Sequence, residues 1–131
     1  MDTVLVGSEV PRVDGLAKVT GKAVYGDDIT MNNMLYGVCR YVDIPAGRID
    51  SLDLSEAEKV PGVVRIATWD DIPGQRKLGA IVPDHPPIID KEIAYRGDVV
   101  AVVAAESYEA ACIAVDKIKI TYTPWEPITS P

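Results

Sequence analysis

The spacing of hydrophobic positions changes several times along the chain, and each change marks an element. Residues 34–44 are mostly apolar on both alternations, with Leu35, Gly37, Cys39, Tyr41 and Asp43 on one and Met34, Tyr36, Val38, Arg40, Val42 and Ile44 on the other. Such a strand is expected where both faces are covered. Pro45-Ala46-Gly47 breaks it. Residues 48–54, Arg48 to Leu54, alternate polar with apolar, the period of a half-buried strand. Ser55 with Glu58 three residues on reads as a capping box. The short helix it opens should end at Pro61-Gly62, and residues 63–68 return as a strand. A second unit repeats the order. Val99 to Ala105 is an unbroken apolar run, expected as a central strand. Ser107 is a candidate N-cap, and Ala110, Ala111, Ala114, Val115 and Ile118 follow at helical spacing. Residues 117–122 alternate cleanly as a strand with one wet face, and Ile118 either closes the helix or opens this strand. Two β-α-β-like units predict an α+β fold with a mixed sheet and two short helices.

Outside these units the pattern weakens. Residues 1–33 hold no sustained period and read as an extended arm of the same domain, with strand pieces near Val19-Thr20 and Ala23-Val24-Tyr25. Gly15, Gly21 and Gly26 mark turns. Residues 34–123 form the expected core, with a Pro-rich loop from Val82 to Pro87 between the units. Residues 124–131 carry Pro124, Pro127 and Pro131 and read as a linker toward further domains.

Composition adds three constraints. The chain has 131 residues, enough for one domain with a real core. Phe is absent, so Ile, Val, Tyr and Trp must fill that core, which favours strands. Thirteen basic and twenty acidic residues leave a net charge of -7, which argues against binding a phosphate backbone or an anionic membrane. The start lacks the basic and apolar regions of a signal peptide, and no apolar run nears the roughly 20 residues of a membrane span, so a cytoplasmic protein is expected.

Few residues carry candidate chemistry. Cys39 and Cys112 sit in apolar contexts and read as buried thiols, with a disulfide the other reading; two cysteines are too few for an iron–sulfur cluster. Gly15 to Lys22 resembles a phosphate loop, but five residues separate Gly15 from Gly21 where the motif has four, and Ala23 follows the lysine. His85 is the sole histidine, beside Pro86-Pro87, and reads as a solvated loop residue. Asp27-Asp28 and Asp70-Asp71 could hold a hard cation, but turns and helix starts use Asp as readily. Asp14, Lys18, Lys22, Asp27 and Asp28 are either solvated or the docking contacts of the arm. No residue is assigned a catalytic, cofactor-binding or metal-binding role.

Taken in order, the segments resemble the N-terminal α/β hammerhead domain of the xanthine dehydrogenase and aldehyde oxidase family. The resemblance rests on Pro11-Arg12-Val13-Asp14, the Lys18 to Tyr25 stretch with Asp28-Ile29, Gly47-Arg48-Ile49, Pro61-Gly62-Val63-Val64, Asp71-Ile72-Pro73-Gly74, Tyr95 to Ala104, and the Ala-rich helix leading to Tyr122. Two places depart from it: Val42-Asp43-Ile44-Pro45, where the family often has Ser-Pro-His, and Val99, where it often has Pro. The resemblance implies a molybdenum hydroxylase large subunit, an oxidoreductase that hydroxylates N-heterocycles or oxidises aldehydes with oxygen from water. It implies a molybdopterin cofactor, with electrons passing to iron–sulfur clusters and often to FAD. The family's cofactor contacts and catalytic Glu would lie beyond Pro131, so this stretch would be a non-catalytic scaffold contacting iron–sulfur and molybdopterin-binding domains or subunits. The alternative is a free-standing binding module with the same architecture, self-associating as a homo-oligomer through Ala-rich and Val-rich surfaces.

Overall fold

The computed structural model describes residues 7–130. They fall into two compact units, one ending at Asn32 and the other beginning at Asn33. In the first unit the expected strand pieces do not form. Val19 instead closes a short helix, α1 (Gly15–Val19), and a 3-10 turn follows at Gly26–Asp28. The N–H groups of Lys22 and Ala23 both donate to the Ala17 carbonyl, and Gly21 takes φ +70°, the left-handed helix ending that glycine allows. A Lys18–Asp14 ion pair at 2.6 Å spans one turn of α1. Five residues are too few to display a helical period, so the pattern could not announce this helix. None of the described residues up to Asn32 is buried.

The second unit contains six strands: β1 (Tyr36–Tyr41), β2 (Gly47–Asp53), β3 (Val63–Ala67), β4 (Glu92–Ile93), β5 (Val99–Ala105) and β6 (Lys119–Pro124). A ten-residue helix, α2 (Tyr108–Lys117), lies between β5 and β6. The α+β class holds. The sheet, however, is two three-stranded sheets, ordered β1-β5-β3 and β4-β2-β6, and neighbouring strands in both run antiparallel. Strands that follow one another within a unit therefore part company, and β2 pairs with β6 while β3 pairs with β5. Residues 54–62 are too few for a parallel crossover, which needs a dozen or more.

The first expected helix is also absent. Residues 55–60 form turns, in which Glu58 N–H donates to the Leu54 carbonyl and Val60 N–H to the Ala57 carbonyl. Asp53 Oδ1 accepts from Ser55 N–H at 3.0 Å, a local bond that closes the first of these turns. With Pro61-Gly62 so close behind, the helix nucleus has nothing over which to propagate. The second helix forms as its spacing predicts. Ser107 Oγ accepts from Ala110 N–H at 3.1 Å, and Ala110, Ala111 and Ala114 are buried. Ile118 is the C-cap between α2 and β6, and its side chain enters the core at 3% exposure.

Two hydrophobic clusters result. One packs α2, with Ala57 and Val60, onto Ala101, Val103 and Ala105 of β5. The other gathers Val42, Ile49, Ile89, Ile93 and Val100. Leu52 and Ile120 face each other across β2 and β6 and pack against both clusters, which joins the two sheets into one core. β1 is an edge strand, and Leu35, Tyr36 and Tyr41 are exposed, contrary to the two-sided burial expected of it.

Candidate functional site

The second unit holds an open cleft of about 610 Å³. Its wall is built by elements far apart in the chain. Trp69 comes from a 3-10 turn after β3, Lys77 and His85 from the loop before β4, Tyr95 from the β4–β5 turn, and Trp125 from the residue after β6. Both tryptophans and the sole histidine thus line one cleft. His85 is held by a two-way backbone pairing with Leu78 at 2.8 and 3.0 Å. Its ring lies nearly parallel to that of Tyr95, at 20° with centroids 6.4 Å apart. The Arg76 guanidinium sits 5.2 Å from the Trp69 ring, within cation–π range. Charges of both signs, among them Arg48, Lys91, Asp90 and Glu92, surround the aromatic groups.

Asp98 anchors the floor. It is 2% exposed, and its Oδ2 accepts from Ala94 N–H at 2.8 Å and Tyr95 N–H at 3.2 Å. Its carbonyl accepts from Val42 N–H at 2.9 Å, so the same residue links the β4–β5 turn to the end of β1. The preceding Gly97 has φ +111°, a conformation that suits glycine. Sequence reasoning passed over Asp98, although Gly97-Asp98 at a strand entry is a turn signal of this kind.

The residues weighed from sequence are scattered and mostly occupied. Asp71 Oδ2 accepts from Thr68 N–H at 2.9 Å, and Oδ1 meets Arg65 at 2.7 Å. That backbone bond first, and Arg65 second, hold the Asp71 carboxyl below its usual range. Asp28 caps the turn at Tyr25 N–H. Asp14 is held low by Lys18 and then by Arg12. Lys22 and Asp27 are exposed. Gly15 to Lys22 is a helix with its closing turn, so its amides are engaged within the chain instead of forming a phosphate cradle. Cys39 and Cys112 are free and half-buried. Among the described residues no group of three or more His, Cys, Asp or Glu converges as metal ligands would. His85 shows no hydrogen bond to a nucleophile or carboxylate among them. No helix of the described residues is long and apolar enough to cross a membrane.

Residues 20–126 match the family described as the aldehyde oxidase and xanthine dehydrogenase a/b hammerhead domain. The chain belongs to this family. A probable xanthine dehydrogenase subunit of Bacillus subtilis is 38% identical over 120 residues, which is 92% of this chain and 16% of that protein. The nicotinate dehydrogenase large molybdopterin subunit of Eubacterium barkeri is 36% identical over 127 residues, 97% of this chain and 30% of the relative. Among solved structures, the aldehyde oxidoreductase from Desulfovibrio desulfuricans matches with a TM-score of 0.89 at 30% identity, covering 95% of this chain and 15% of that one. The hammerhead chain thus spans less than a third of each of these proteins. The match spans the motifs from Thr20 to Tyr122. The hammerhead's Pro61-Gly62 turn has a structural reason for its glycine. Gly62 takes φ +88°, its carbonyl accepts from Glu106 N–H at 2.8 Å, and a Cβ there would press within 3.4 Å of Ala110.

Proposed function

We propose that this chain is the non-catalytic hammerhead domain of a molybdopterin-dependent hydroxylase, an oxidoreductase acting on N-heterocycles or aldehydes. The observation that carries the reading is the family match over nearly the whole chain, combined with the small share of each relative that it represents. Residues 34–123 are the hammerhead core, residues 1–33 its arm, and residues 124–131 the start of a linker. The molybdenum cofactor is assigned to the part of the parent enzyme outside this domain. When bound there, the cofactor would supply the hydroxylation chemistry, and iron–sulfur clusters and, in members that carry it, FAD would supply the electron path. The hammerhead contributes shape and contact surface to the neighbouring iron–sulfur and molybdopterin-binding domains, in a cytoplasmic enzyme. None of its described residues is given a catalytic, cofactor-binding or metal-binding role.

The test is to purify the complete gene product, measure its molybdenum, and assay oxidation of a panel of N-heterocycles and aldehydes with an artificial electron acceptor. Metal-dependent turnover by the long polypeptide, with none by residues 1–131 alone, is the expected result. Turnover by the isolated domain would overturn the assignment. A binding role is the second reading, favoured by the convergence of Trp69, Tyr95, His85 and Trp125 on one cleft. Quenching of the tryptophan emission by a saturating small molecule would support it.

A further inference from the structure

We infer that the outward face of the β1-β5-β3 sheet seats an apolar segment of the same polypeptide, supplied by the part of the parent subunit outside the hammerhead. The inference rests on the functional reading above. In β5, Ala101, Val103 and Ala105 point into the core at 0% exposure. The alternate residues Val102 and Ala104 point the other way and are only half-buried. Register places Cys39 and Ala67 on either side of Val102, and Gly37 and Arg65 on either side of Ala104. Tyr41, half exposed, lies two residues beyond Cys39 at the end of β1. Arg65 is the single charged group in these rows. A Cβ built on Gly37 would meet nothing within 4 Å, so the face is open there.

A sheet face turned to water normally carries polar side chains at alternate positions. Here β5 is apolar on both alternations and β1 on all but Arg40, which lies on the alternation of Tyr36 and Val38; this is the pattern of strands covered twice, while the core covers one side alone. The size of the face selects the occupant. Three strands by about six residues cover roughly 14 Å by 20 Å, on the order of 300 Å². A stable association between separate molecules needs about 800 Å² from each partner, so neither a second copy nor a free protein is held by this face alone. A segment on the same chain needs far less, because tethering supplies a high effective concentration. The relatives provide such a chain, since 70–84% of their length lies outside the matched stretch.

Cys39 is a native probe of this face, and the half-buried Cys112 on α2 is the reference. Residues 1–131 and the complete gene product are each treated with N-ethylmaleimide under native conditions. Modification of the two cysteine peptides is then followed by mass spectrometry. The expected result is Cys39 labelling at least tenfold slower in the complete protein than in the isolated domain, relative to Cys112. Equal labelling in the two proteins overturns the inference. So does a gene product that ends with this domain, or light scattering that shows the isolated domain to be a dimer with Cys39 protected. Molybdenum content of the same sample separates this inference from the functional reading. Protected Cys39 in a metal-free protein keeps the docking face and removes the hydroxylase. Reactive Cys39 in a metal-loaded protein does the reverse.

Discussion

Replacing Asp98 with Ala removes the acceptor that holds the β4–β5 turn. Two N–H groups lose their partner, Ala94 at 2.8 Å and Tyr95 at 3.2 Å, at a residue that is 2% exposed. A buried donor left unmade costs about 1–3 kcal/mol, and bonds to a charged acceptor lie toward the upper end. The Tyr95 bond, at 3.2 Å, is the longer of the two and belongs at the lower end. The sum is about 2–4 kcal/mol, a large fraction of the roughly 5–15 kcal/mol that stabilises an ordinary domain. Asp98→Asn keeps an acceptor oxygen and loses only the charge, so a cost nearer 1 kcal/mol is expected. Urea unfolding at neutral pH, followed by tryptophan emission and by circular dichroism, measures both variants. The midpoint should fall in the order wild type, Asn, Ala, with the slope unchanged. An Ala variant within about 0.5 kcal/mol of wild type would refute the reasoning, since exposed substitutions away from such features do no more than that.

Three other outcomes follow from the geometry. Gly47→Ala should destabilise by about 1–3 kcal/mol on thermal unfolding, because a Cβ there would lie 2.7 Å from the Thr123 carbonyl oxygen and 3.1 Å from Pro124 Cα, forcing β2 and β6 apart. Ser107→Ala should cost about 1 kcal/mol by removing the α2 cap, and Ser107→Asp should largely restore it, both read from urea midpoints. Acid should weaken the fold through Asp71, whose carboxyl is held below the ordinary 3.8 by Thr68 N–H and then Arg65. A lowered folded value means its contribution is present above pH 3.8 and is lost as pH falls through the folded value. Asp71→Asn should flatten the melting temperature profile as pH falls from 3.8 through the folded value, and an unchanged slope would count against that linkage.

Most strands could be placed from the residues alone, because strands and turns are written locally. The alternation at 48–54, the apolar run at 99–105 and the Ser107 cap each depend on neighbours a few residues away. The ordered motifs from Lys18 to Tyr122 likewise sufficed for the family, because each carries its own turn or strand signature. Pairing was not legible. The sequence units suggested one mixed sheet built from two β-α-β-like units, whereas two antiparallel sheets form, in which β2 joins β6 and β3 joins β5. That exchange is decided by how Leu52 and Ile120 bridge two cores, a contact between residues 68 positions apart. The cleft was equally hidden, since Trp69, His85, Tyr95 and Trp125 share no local pattern and meet only through the fold. Even the helix opening at Ser55 failed for a physical reason outside its own signal. A capping box starts a helix, but Pro61-Gly62 left no room to extend one, and burial of Ala57 and Val60 settled the segment as turns. Local propensity selects elements; only long-range burial chooses their partners, because the free energy of packing apolar faces exceeds the small differences between local conformations.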